Sequence, residues 1–222
     1  IENPDCGYLY ETSVENFEKI PGIPIAYWAS ENVFEIFMKE NILEEIADIR
    51  LGLSPGDTKK FLKRWYELST DNSNLQELNN SESIESNKKW FPCNKGGSFR
   101  KWYGNKEYLI NWENNGFEIR NFKDEKGKLR SRPQNLGYQF YGHIGYSRIS
   151  SSDTSFRYYS TGYMFTDSSS GIFNKDYLYL MGLLNTEIVK MMLPIINPTL
   201  NYQAGDIKRL PFILDVENKD NV

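Results

Sequence analysis

The hydrophobic period of the chain changes twice, and this change constrains the fold more than any other feature. Apolar residues recur at helical spacing after residue 30 and again after residue 174. Between these segments they fall into short runs separated by turn residues, which is typical of β-strands. Helices on both sides of a β-rich centre predict an α+β fold, in which residues 174–210 form a C-terminal helical part.

The helices are predicted from apolar spacing and from residues that begin or end helices. Ser30 is a candidate N-cap for the first helix. Four residues that would share one face predict a second helix, namely Ile42, Leu43, Ile46 and Ile49. Further along, Pro194 is expected to end a helix, and residues 203–209 are predicted to form a short one. The apolar face of the long C-terminal helix comprises Leu180, Leu184, Ile188 and Met191. This face belongs either to the core, which we favour, or to a contact with another part of a longer protein.

A β-hairpin is predicted in the centre of the chain. Its strands would be residues 108–112 and 117–122, and the Asn-Gly pair in the connecting residues 113–116 is a strong turn signal. Further strands are predicted at residues 138–141, 144–150, 157–159 and 163–165. The apolar segment of residues 61–66 fits a helix or a strand equally well.

The chain is predicted to consist of an irregular lead-in followed by one domain. Residues 1–29 contain three prolines and are predicted to lack regular structure. Residues 30–222 are predicted to form the domain. Within it, residues 69–87 are rich in Ser, Asn, Asp and Glu and are expected to be a mobile surface loop.

The cysteine content and the hydropathy exclude several classes of protein. Two cysteines, Cys6 and Cys93, predict neither a disulfide framework nor a zinc cluster. We expect free thiols and a cytoplasmic protein, because thiols stay reduced there. No apolar run approaches the roughly 20 residues that span a bilayer, so no membrane association is expected.

The charge of the chain is unevenly distributed. The formal net charge is −4. Residues 88–157 nevertheless contain 14 Lys or Arg and 6 Asp or Glu, which is a net charge of +8, and the remaining residues carry −12. Such asymmetry predicts one face for a polyanion and another face that is solvated or docks elsewhere.

The segment from Lys88 to Asn105 concentrates this basic character. Its eighteen residues include five cations, five aromatic residues and three glycines, and no acid. Cations bind phosphates and aromatic rings stack on bases, whereas glycines allow a backbone to approach a partner closely. The segment therefore indicates either a nucleic-acid contact or a basic loop that surrounds a few buried rings.

No catalytic site is predicted from the sequence. The single histidine, His143, lies in a strand pattern and is interpreted as structural. The Lys95-Gly96-Gly97 stretch lacks the upstream glycine of a phosphate-binding loop. Asn197-Pro198 begins like the catalytic loop of adenine methyltransferases but lacks its second proline and its aromatic residue. Asp124 and Lys126 resemble half of a nuclease metal site, but they belong to a hydrophilic turn with no clear acidic partner.

Several motifs, in order along the chain, resemble one family. Residues 22–28 are similar to the lead-in from a methyltransferase core, and residues 46–57 are similar to a Gly-Leu-x-Thr-Gly-Asp-Asn segment in which Ser and Pro replace Thr here. The most specific match is Lys95-Gly-Gly-Ser-Phe-Arg-Lys-Trp-Tyr-Gly-Asn105, supported by residues 132–135 and 197–201. The chain thus resembles the C-terminal target-recognition region of adenine-specific DNA methyltransferases. The closest group is the PglX-like enzymes of bacteriophage exclusion (BREX), together with related fused restriction–modification enzymes.

The resemblance implies a function and also implies what the chain lacks. Two partners are expected, namely double-stranded DNA and a methyltransferase domain upstream on the same polypeptide. The cofactor-binding glycine segment and the catalytic loop of the family have no counterpart here. We therefore expect a non-catalytic portion that binds no S-adenosylmethionine, within a parent enzyme that methylates adenine at N6 for phage defence or restriction–modification.

The candidate DNA contacts follow from the charge and from the resemblance. They are Lys88, Lys89, Lys95, Gly96, Gly97, Ser98, Arg100, Lys101, Trp102, Tyr103, Arg130 and Arg132. The cations are expected to contact phosphates, and the two glycines to form a tight turn close to the DNA. If Trp102 and Tyr103 lie in a strand, one ring faces the core and the other the partner. The alternative function is a protein-interaction module that docks a partner through its aromatic surface.

Overall fold

Two four-stranded sheets, each covered by its own helices, form the computed structural model, which describes residues 10–76, 78–150 and 153–212. The helices are α1 Val14–Glu18, α2 Glu31–Lys39, α3 Thr58–Phe61, α4 Asn80–Glu85, α5 Glu113–Arg120, α6 Tyr177–Leu184, α7 Glu187–Ile196 and α8 Ala204–Lys208. The strands are β1 Asn41–Ile42, β2 Asp48–Leu51, β3 Leu62–Arg64, β4 Trp90–Asn94, β5 Tyr108–Asn111, β6 His143–Ser147, β7 Phe156–Tyr159, β8 Met164–Phe165, β9 Ser169–Phe173 and β10 Pro211–Phe212. The α+β class predicted from the sequence is confirmed.

The first sheet has the strand order β2-β9-β6-β7 and is antiparallel throughout. The larger hydrophobic core lies between this sheet and helices α2, α6, α7 and α8, and it includes Phe34, Ile144 and Leu193. The short β1–β10 pair joins residues 41–42 to residues 211–212, the last residues of the described chain. Burial of these helical faces against the sheet supplies the main apolar driving force for folding.

The second sheet has the order β3-β5-β4-β8, and its own core includes Phe61, Phe91, Trp112 and Phe140. Strand β8 pairs parallel to β4, whereas the other pairs are antiparallel. Cys93 lies in this core as a free thiol; Cys6 lies outside the described residues. Because β8 and β9 are separated by only a few residues, the chain passes directly from the second sheet back to the first.

His143 lies where the two sheets meet. It is the first residue of β6, and its ring stacks on Tyr159 and also contacts Phe165 and Phe173. Nδ1–H donates to the carbonyl of Tyr141 (2.9 Å), and Nε2 accepts from the amide of Asn94 (3.3 Å). The histidine is thus a structural residue that links the sheets, as its strand context indicated.

Two helix predictions are confirmed. Both rested on signals in the local sequence, which distant pairing does not override. Ser30 is the N-cap of α2, and α8 occupies the centre of the predicted 203–209 helix. By contrast, the predicted helix over residues 42–49 is wrong. Residues 41–42 pair with β10 and residues 48–51 pair with β9, with a single 3₁₀ turn between them. Pairing with distant strands has overridden the local spacing.

The predicted hairpin after β5 is also wrong. Asn114, Asn115 and Gly116 all have positive φ angles, between 51° and 68°. These three consecutive left-handed residues lie within the span of α5, and the chain then continues as a helix to Arg120 and does not turn back to pair with β5. Residues 117–122 therefore do not form a strand. A Cβ atom on Gly116 would lie 2.3 Å from the Trp112 ring, so close packing also requires glycine there.

Residues 138–141 are not a strand either. Leu136–Tyr138 forms a 3₁₀ turn after Asn135, which has a left-handed conformation. Gln139 instead bonds to β8 through its side chain. Its amide nitrogen donates to the carbonyl of Phe165, and its amide oxygen accepts from the N–H of Phe165. The other predicted strands coincide with or overlap β5, β6, β7 and β8.

The C-terminal apolar pattern forms two helices in place of one. Helices α6 and α7 meet at an angle of 71°. Leu180 and Leu184 are buried as predicted, whereas Ile188 and Met191 are 45% and 51% exposed because the bend turns them outward. Pro194 does not end α7 but lies within its last turn. Proline has no N–H, so the carbonyl four residues earlier lacks its usual helical hydrogen bond. Because Pro194 is exposed, water can bond to that carbonyl.

Two segments predicted to be irregular contain helices. Helix α1 lies in the 1–29 segment, whose first nine residues are outside the described part. Helix α4 lies in the 69–87 segment and begins with a capping box between Asn79 and Glu82. No single helix within residues 10–76, 78–150 and 153–212 is long and apolar enough to cross a bilayer; α6 and α7 reach that length and hydropathy only when taken together.

The burial of His143 predicts a specific pH dependence of stability. Burial lowers its pKa from 6.5 to about 4, so the unfolded chain binds a proton in this interval and the folded chain does not. The contribution to stability is therefore complete above pH 6.5 and is lost as the pH falls towards 4. Between pH 7 and 5 the free energy of unfolding should fall by about 2 kcal/mol.

Urea unfolding at pH 7, 6 and 5 would measure this loss. The chain has no other histidine, so the His143→Gln variant should be less stable at pH 7 but nearly independent of pH down to 5. An equally steep loss in the variant would show that another group causes it.

Candidate nucleic-acid interface

The basic segment forms a long connection between β4 and β5. It begins with Gly96 and Gly97, whose φ angles are 79° and 138°, and it ends at Gly104 and Asn105, with φ angles of 134° and 54°. These angles bend the chain away from the second sheet and return it to β5. Gly96 and Gly97 thus adopt the left-handed angles that glycine favours, and the tight turn towards DNA predicted for them stays a prediction.

The connection is attached to the first sheet by a buried arginine. Arg157 of β7 has no solvent exposure, and its guanidinium donates to the carbonyl of Arg100 (3.2 Å) and to the hydroxyls of Ser155 (2.9 Å) and Ser147 (3.1 Å). All of its described hydrogen-bond partners are neutral oxygens, including Tyr159. A buried cation without hydrogen bonds would be strongly unfavourable, so these groups fix the position of the connection.

The glycine turn is held from both sheets. Gly97 exchanges two hydrogen bonds with the Ser147 hydroxyl, one from its N–H (2.9 Å) and one to its carbonyl (2.8 Å). The N–H of Gly96 donates to Asn94 (3.0 Å), whose amide in turn donates to His143. Both glycine N–H groups are therefore used internally. They do not form an anion-binding nest like that of a phosphate-binding loop.

The glycines are also required by packing. A Cβ atom on Gly96 would lie 3.0 Å from the carbonyl oxygen of Ser168, and one on Gly97 would lie 3.1 Å from the Asn105 side chain. The missing side chains of the two glycines thus allow other parts of this chain to pack closely against their backbone. The two glycines form the floor of a shallow surface depression.

Two adjoining clefts share this floor, and together we call them the glycine groove. One is lined by Arg64, Tyr66, Gly96, Gly97, Ser98, Asn105, Glu107 and Tyr108, and the other by Lys95, Gly96, Gly97, Tyr108, Ser147, Arg148, Ile149, Asp167 and Ser168. The groove brings together residues from β3, β5 and the ends of β4 and β6. Of the candidate contacts, Lys95, Gly96, Gly97 and Ser98 line it.

Sequence reasoning missed Arg64, Tyr66, Tyr108 and Arg148 as groove residues. Arg64 is opposite Tyr108 in the β3–β5 pair, a pairing that the ambiguous 61–66 segment did not reveal. Lys95 Nζ lies 4.2 Å from the centroid of the Tyr108 ring, and the Arg64 guanidinium lies 5.9 Å from it. Arg64, and to a lesser extent Lys95, hold the pKa of Tyr108 below its usual value.

The other candidate cations are engaged by their own chain to different degrees. Arg100 pairs with Glu107 (3.5 Å), and Lys89 pairs with Glu113 (3.1 Å). The Lys101 ammonium donates to the carbonyl of Asn185 (2.8 Å), and that of Lys88 donates to the carbonyl of Asp71. The Arg130 guanidinium lies over Phe122 (5.2 Å), and Arg132 pairs through its backbone with Ser54.

The candidates also occupy more than one location. Lys89 and Lys95 flank the two ends of β4, about 20 Å apart along an extended strand. Arg130 lies beside Phe122, which Lys60 of α3 also contacts. Only the candidates from Lys95 to Ser98 line the groove, whereas Lys101 lines a separate cleft beside Asn185. Lys88, Lys89, Arg130 and Arg132 do not line the groove either.

The expected alternation of Trp102 and Tyr103 is wrong. Trp102 has a φ angle of 71°, so the pair is not a regular strand, although the Trp102 backbone bonds to Phe156 and Tyr158 of β7. Both rings face outward, with exposed fractions of 50% and 70%. The Lys106 ammonium lies 4.0 Å from the Tyr103 ring centroid. Two exposed aromatic residues are consequently available to a partner.

The two segments that resemble catalytic motifs, around Asp124 and Asn197, are ordinary turns. The Asp124 carboxylate accepts from the backbone of Lys126 and Lys128 (2.9 Å each). Asn197 bonds to Asn201, Asp206 and the N–H of Thr199 after the end of α7. In the described part of the chain, no three His, Cys, Asp or Glu residues are grouped so that they could hold a metal ion.

Comparisons with known proteins place this structure in a family context. The adenine-specific methyltransferase PglX of Lacticaseibacillus casei (strain Zhang) is 38% identical over 216 residues, which are 95% of this chain and 18% of that protein. The adenine-specific methyltransferase BrxX of Escherichia coli O9:H4 (strain HS) is 35% identical over 211 residues, which are 92% of this chain and 16% of that protein. No protein-family profile matches the chain.

The chain is thus related, over nearly its whole length, to one segment of the PglX and BrxX adenine-specific methyltransferases of BREX systems. This confirms the family resemblance drawn from its motifs. The chain spans less than a fifth of the length of these relatives.

The role of Arg157 can be tested by removing its charge. In Arg157→Met the carbonyl of Arg100 and the hydroxyls of Ser147 and Ser155 lose their partner, so the free energy of unfolding should fall by about 2–4 kcal/mol. The matched change Arg120→Met, at an exposed helical position, should alter it by less than about 0.5 kcal/mol.

Urea unfolding gives these energies, and limited trypsin digestion reports the local effect. Cleavage after Arg100 or Lys101 should become faster in Arg157→Met than in Arg120→Met. Equal stability and equal cleavage in both variants would show that Arg157 does not hold the connection.

Proposed function

We propose that this chain recognises specific sequences in double-stranded DNA, as the target-recognition portion of an adenine-N6 methyltransferase in phage defence. The observation that carries the proposal is the glycine groove. It gathers three cations, Arg64, Lys95 and Arg148, on an otherwise acidic chain. The family relationship supports the same function, because PglX and BrxX are by name adenine-specific methyltransferases.

The ion pairs of the chain support a particular division of roles. The described pairs include Arg100 and Lys89 but none of the three groove cations. A cation that is already paired with a carboxylate gains little from a phosphate, whereas one without such a partner keeps its full charge for DNA. The groove cations are therefore proposed to position the duplex through its phosphates.

Exposed residues of the connection between β4 and β5 are proposed to contribute to readout. Trp102 and Tyr103 face outward, and Ser98 is exposed next to the two glycines. Hydroxyl groups bond to base edges, and aromatic rings make apolar contacts with the thymine methyl group. Because DNA shape also contributes to specificity, the target sequence does not follow from these residues alone.

The rest of the activity is proposed to lie elsewhere on a longer polypeptide. In this arrangement a methyltransferase domain binds S-adenosylmethionine and transfers its methyl group to adenine, while this chain selects the site. The whole enzyme acts in the cytoplasm, where its DNA substrate is. This chain contributes no catalytic residue to that reaction.

DNA binding is tested by titrating a labelled duplex with the chain at increasing salt. Affinity should fall steeply as salt rises, because each phosphate contact releases about one counterion. Selection from a random duplex library should enrich a short common motif. If no binding occurs even at about 20–50 mM monovalent salt, the proposal is wrong.

The same titration distinguishes the alternative of a protein-interaction module. The exposed rings of Trp65, Tyr66, Trp102 and Tyr103 favour that alternative. Docking through aromatic rings would depend only weakly on salt. A partner that binds independently of salt, together with absent duplex binding, would therefore replace the DNA proposal.

Cofactor binding provides a second test. Calorimetric titration of the chain with S-adenosylmethionine should give no binding heat, because the sequence lacks the glycine-rich segment that holds this cofactor in the family. Titration with the parent enzyme is the positive control. Micromolar affinity of this chain for S-adenosylmethionine would contradict the proposed division of the enzyme.

A further inference from the structure

Within the glycine groove, Arg64 and Lys95 form a distinct pair. They belong to different segments, the end of β3 and the residue after β4, yet both cationic groups lie within 6 Å of the centroid of one ring, that of Tyr108. The β3–β5–β4 register explains this, since Arg64 and Cys93 are both opposite Tyr108. Sheet pairing therefore fixes the position of the two cations.

The groups that surround these two cations do not neutralise them. The Arg64 guanidinium donates to the Tyr66 hydroxyl (2.5 Å) and lies near the rings of Tyr66 and Tyr108. The nearby Glu67 carboxylate accepts from the backbone N–H of Arg64 (2.8 Å), in the capping box of the next 3₁₀ turn. Glu107, the other acid on this side of the groove, pairs with Arg100.

Arg64 and Lys95 both lie near the ring of Tyr108, and like charges that share a site repel each other unless an anion lies between or beside them. Tyrosine rings attract cations through their faces but carry no charge, so the repulsion of Arg64 and Lys95 is reduced and not cancelled. Arg64 and the glycine floor are open to solvent on one side. The arrangement suits an anion that arrives from outside.

We propose that Arg64 and Lys95, spaced by Tyr108, bind one backbone phosphate of double-stranded DNA. This inference rests on the proposed function and names the residues that would anchor the duplex in the groove. Arg64 contributes a planar fork that matches two phosphate oxygens, and Lys95 contributes a point charge. Arg148 lines the same cleft as Lys95, but its guanidinium donates to the carbonyl of Asp167 (2.8 Å) and is not among the cations described over the Tyr108 ring, so it is not part of this phosphate site.

The test compares three single substitutions that each remove one positive charge. Arg64→Gln and Lys95→Gln should each weaken duplex binding by about tenfold and should reduce the slope of log K against log salt by about 1. Lys63→Gln is the matched control, because Lys63 precedes Arg64 in β3 and its side chain points to the other face of the sheet. Lys63→Gln should leave the affinity within about twofold. Arg64→Lys, which keeps the charge but not the planar fork, should lose less affinity than Arg64→Gln.

A phosphate scan locates the contact on the DNA. Each phosphate of a bound duplex is replaced in turn by a neutral methylphosphonate. At one position the replacement should weaken binding of the unmodified chain by more than about tenfold, should weaken binding of Arg64→Gln less because Lys95 remains, and should leave the affinity of the double variant Arg64→Gln/Lys95→Gln unchanged. Inorganic phosphate should displace the duplex no better than chloride at equal ionic strength, because the site is specific for a phosphate within the duplex.

The outcomes separate this inference from the proposed function. If the unmodified chain binds no duplex, the proposed function itself fails. If it binds duplex but Arg64→Gln and Lys95→Gln bind as Lys63→Gln does, the phosphate site is wrong and DNA recognition stands. If inorganic phosphate alone displaces the duplex in an Arg64-dependent way, the groove is a site for free anions and the inference is overturned.

Discussion

The buried guanidinium of Arg157 is the interaction on which the candidate interface depends. It belongs to β7 of the first sheet, but it bonds to the carbonyl of Arg100 in the connection between strands of the second. The same side chain bonds to Ser147, which itself exchanges two hydrogen bonds with Gly97. One cation thus fixes both the start and the middle of the basic segment. Because it is fully buried, a conformation in which these partners separated would leave its charge unsatisfied.

This constraint explains why the chain needs two sheets to present one groove. The second sheet supplies Arg64, Lys95 and Tyr108, and the first sheet supplies Ser147 and Arg148. The sheets approach so closely that a Cβ atom on Gly145 would lie 2.1 Å from the Asn94 amide. His143, Asn94 and Gly96 then form a continuous series of hydrogen bonds from the interior to the floor of the groove. A substitution at the contact between the two sheets should therefore alter the floor of the groove, because these hydrogen bonds connect the two places.

The sequence predicted what local chemistry determines and missed what distant pairing determines. Helices α2 and α8 follow from caps and apolar spacing, and the positive φ angles at Gly96 and Gly97 follow from the conformational freedom of glycine. The segment of residues 42–49 was mistaken for a helix because β2 acquires its conformation from β9, more than a hundred residues later. Arg64 was missed as a groove residue for the same reason, since its position depends on the β3–β5 register. The basic composition indicated a polyanion site, but it could not show which cations pair with the chain's own acids.

The Lys-Gly-Gly motif has a structural role, although its composition suggests direct contact with a polyanion. Gly96 and Gly97 use their N–H groups internally, and their missing side chains make room for Ser168, Ser147 and Asn105. Asn105 in turn donates to the carbonyl of Ser98 and closes the segment on itself (2.9 Å). These residues build the floor of the groove and the fold around it. In the proposed DNA complex, sequence information would come from side chains that the fold leaves exposed, such as Ser98, Trp102 and Tyr103. A chain that kept the Lys-Gly-Gly motif and changed those three residues would be expected to keep this structure and to select a different target.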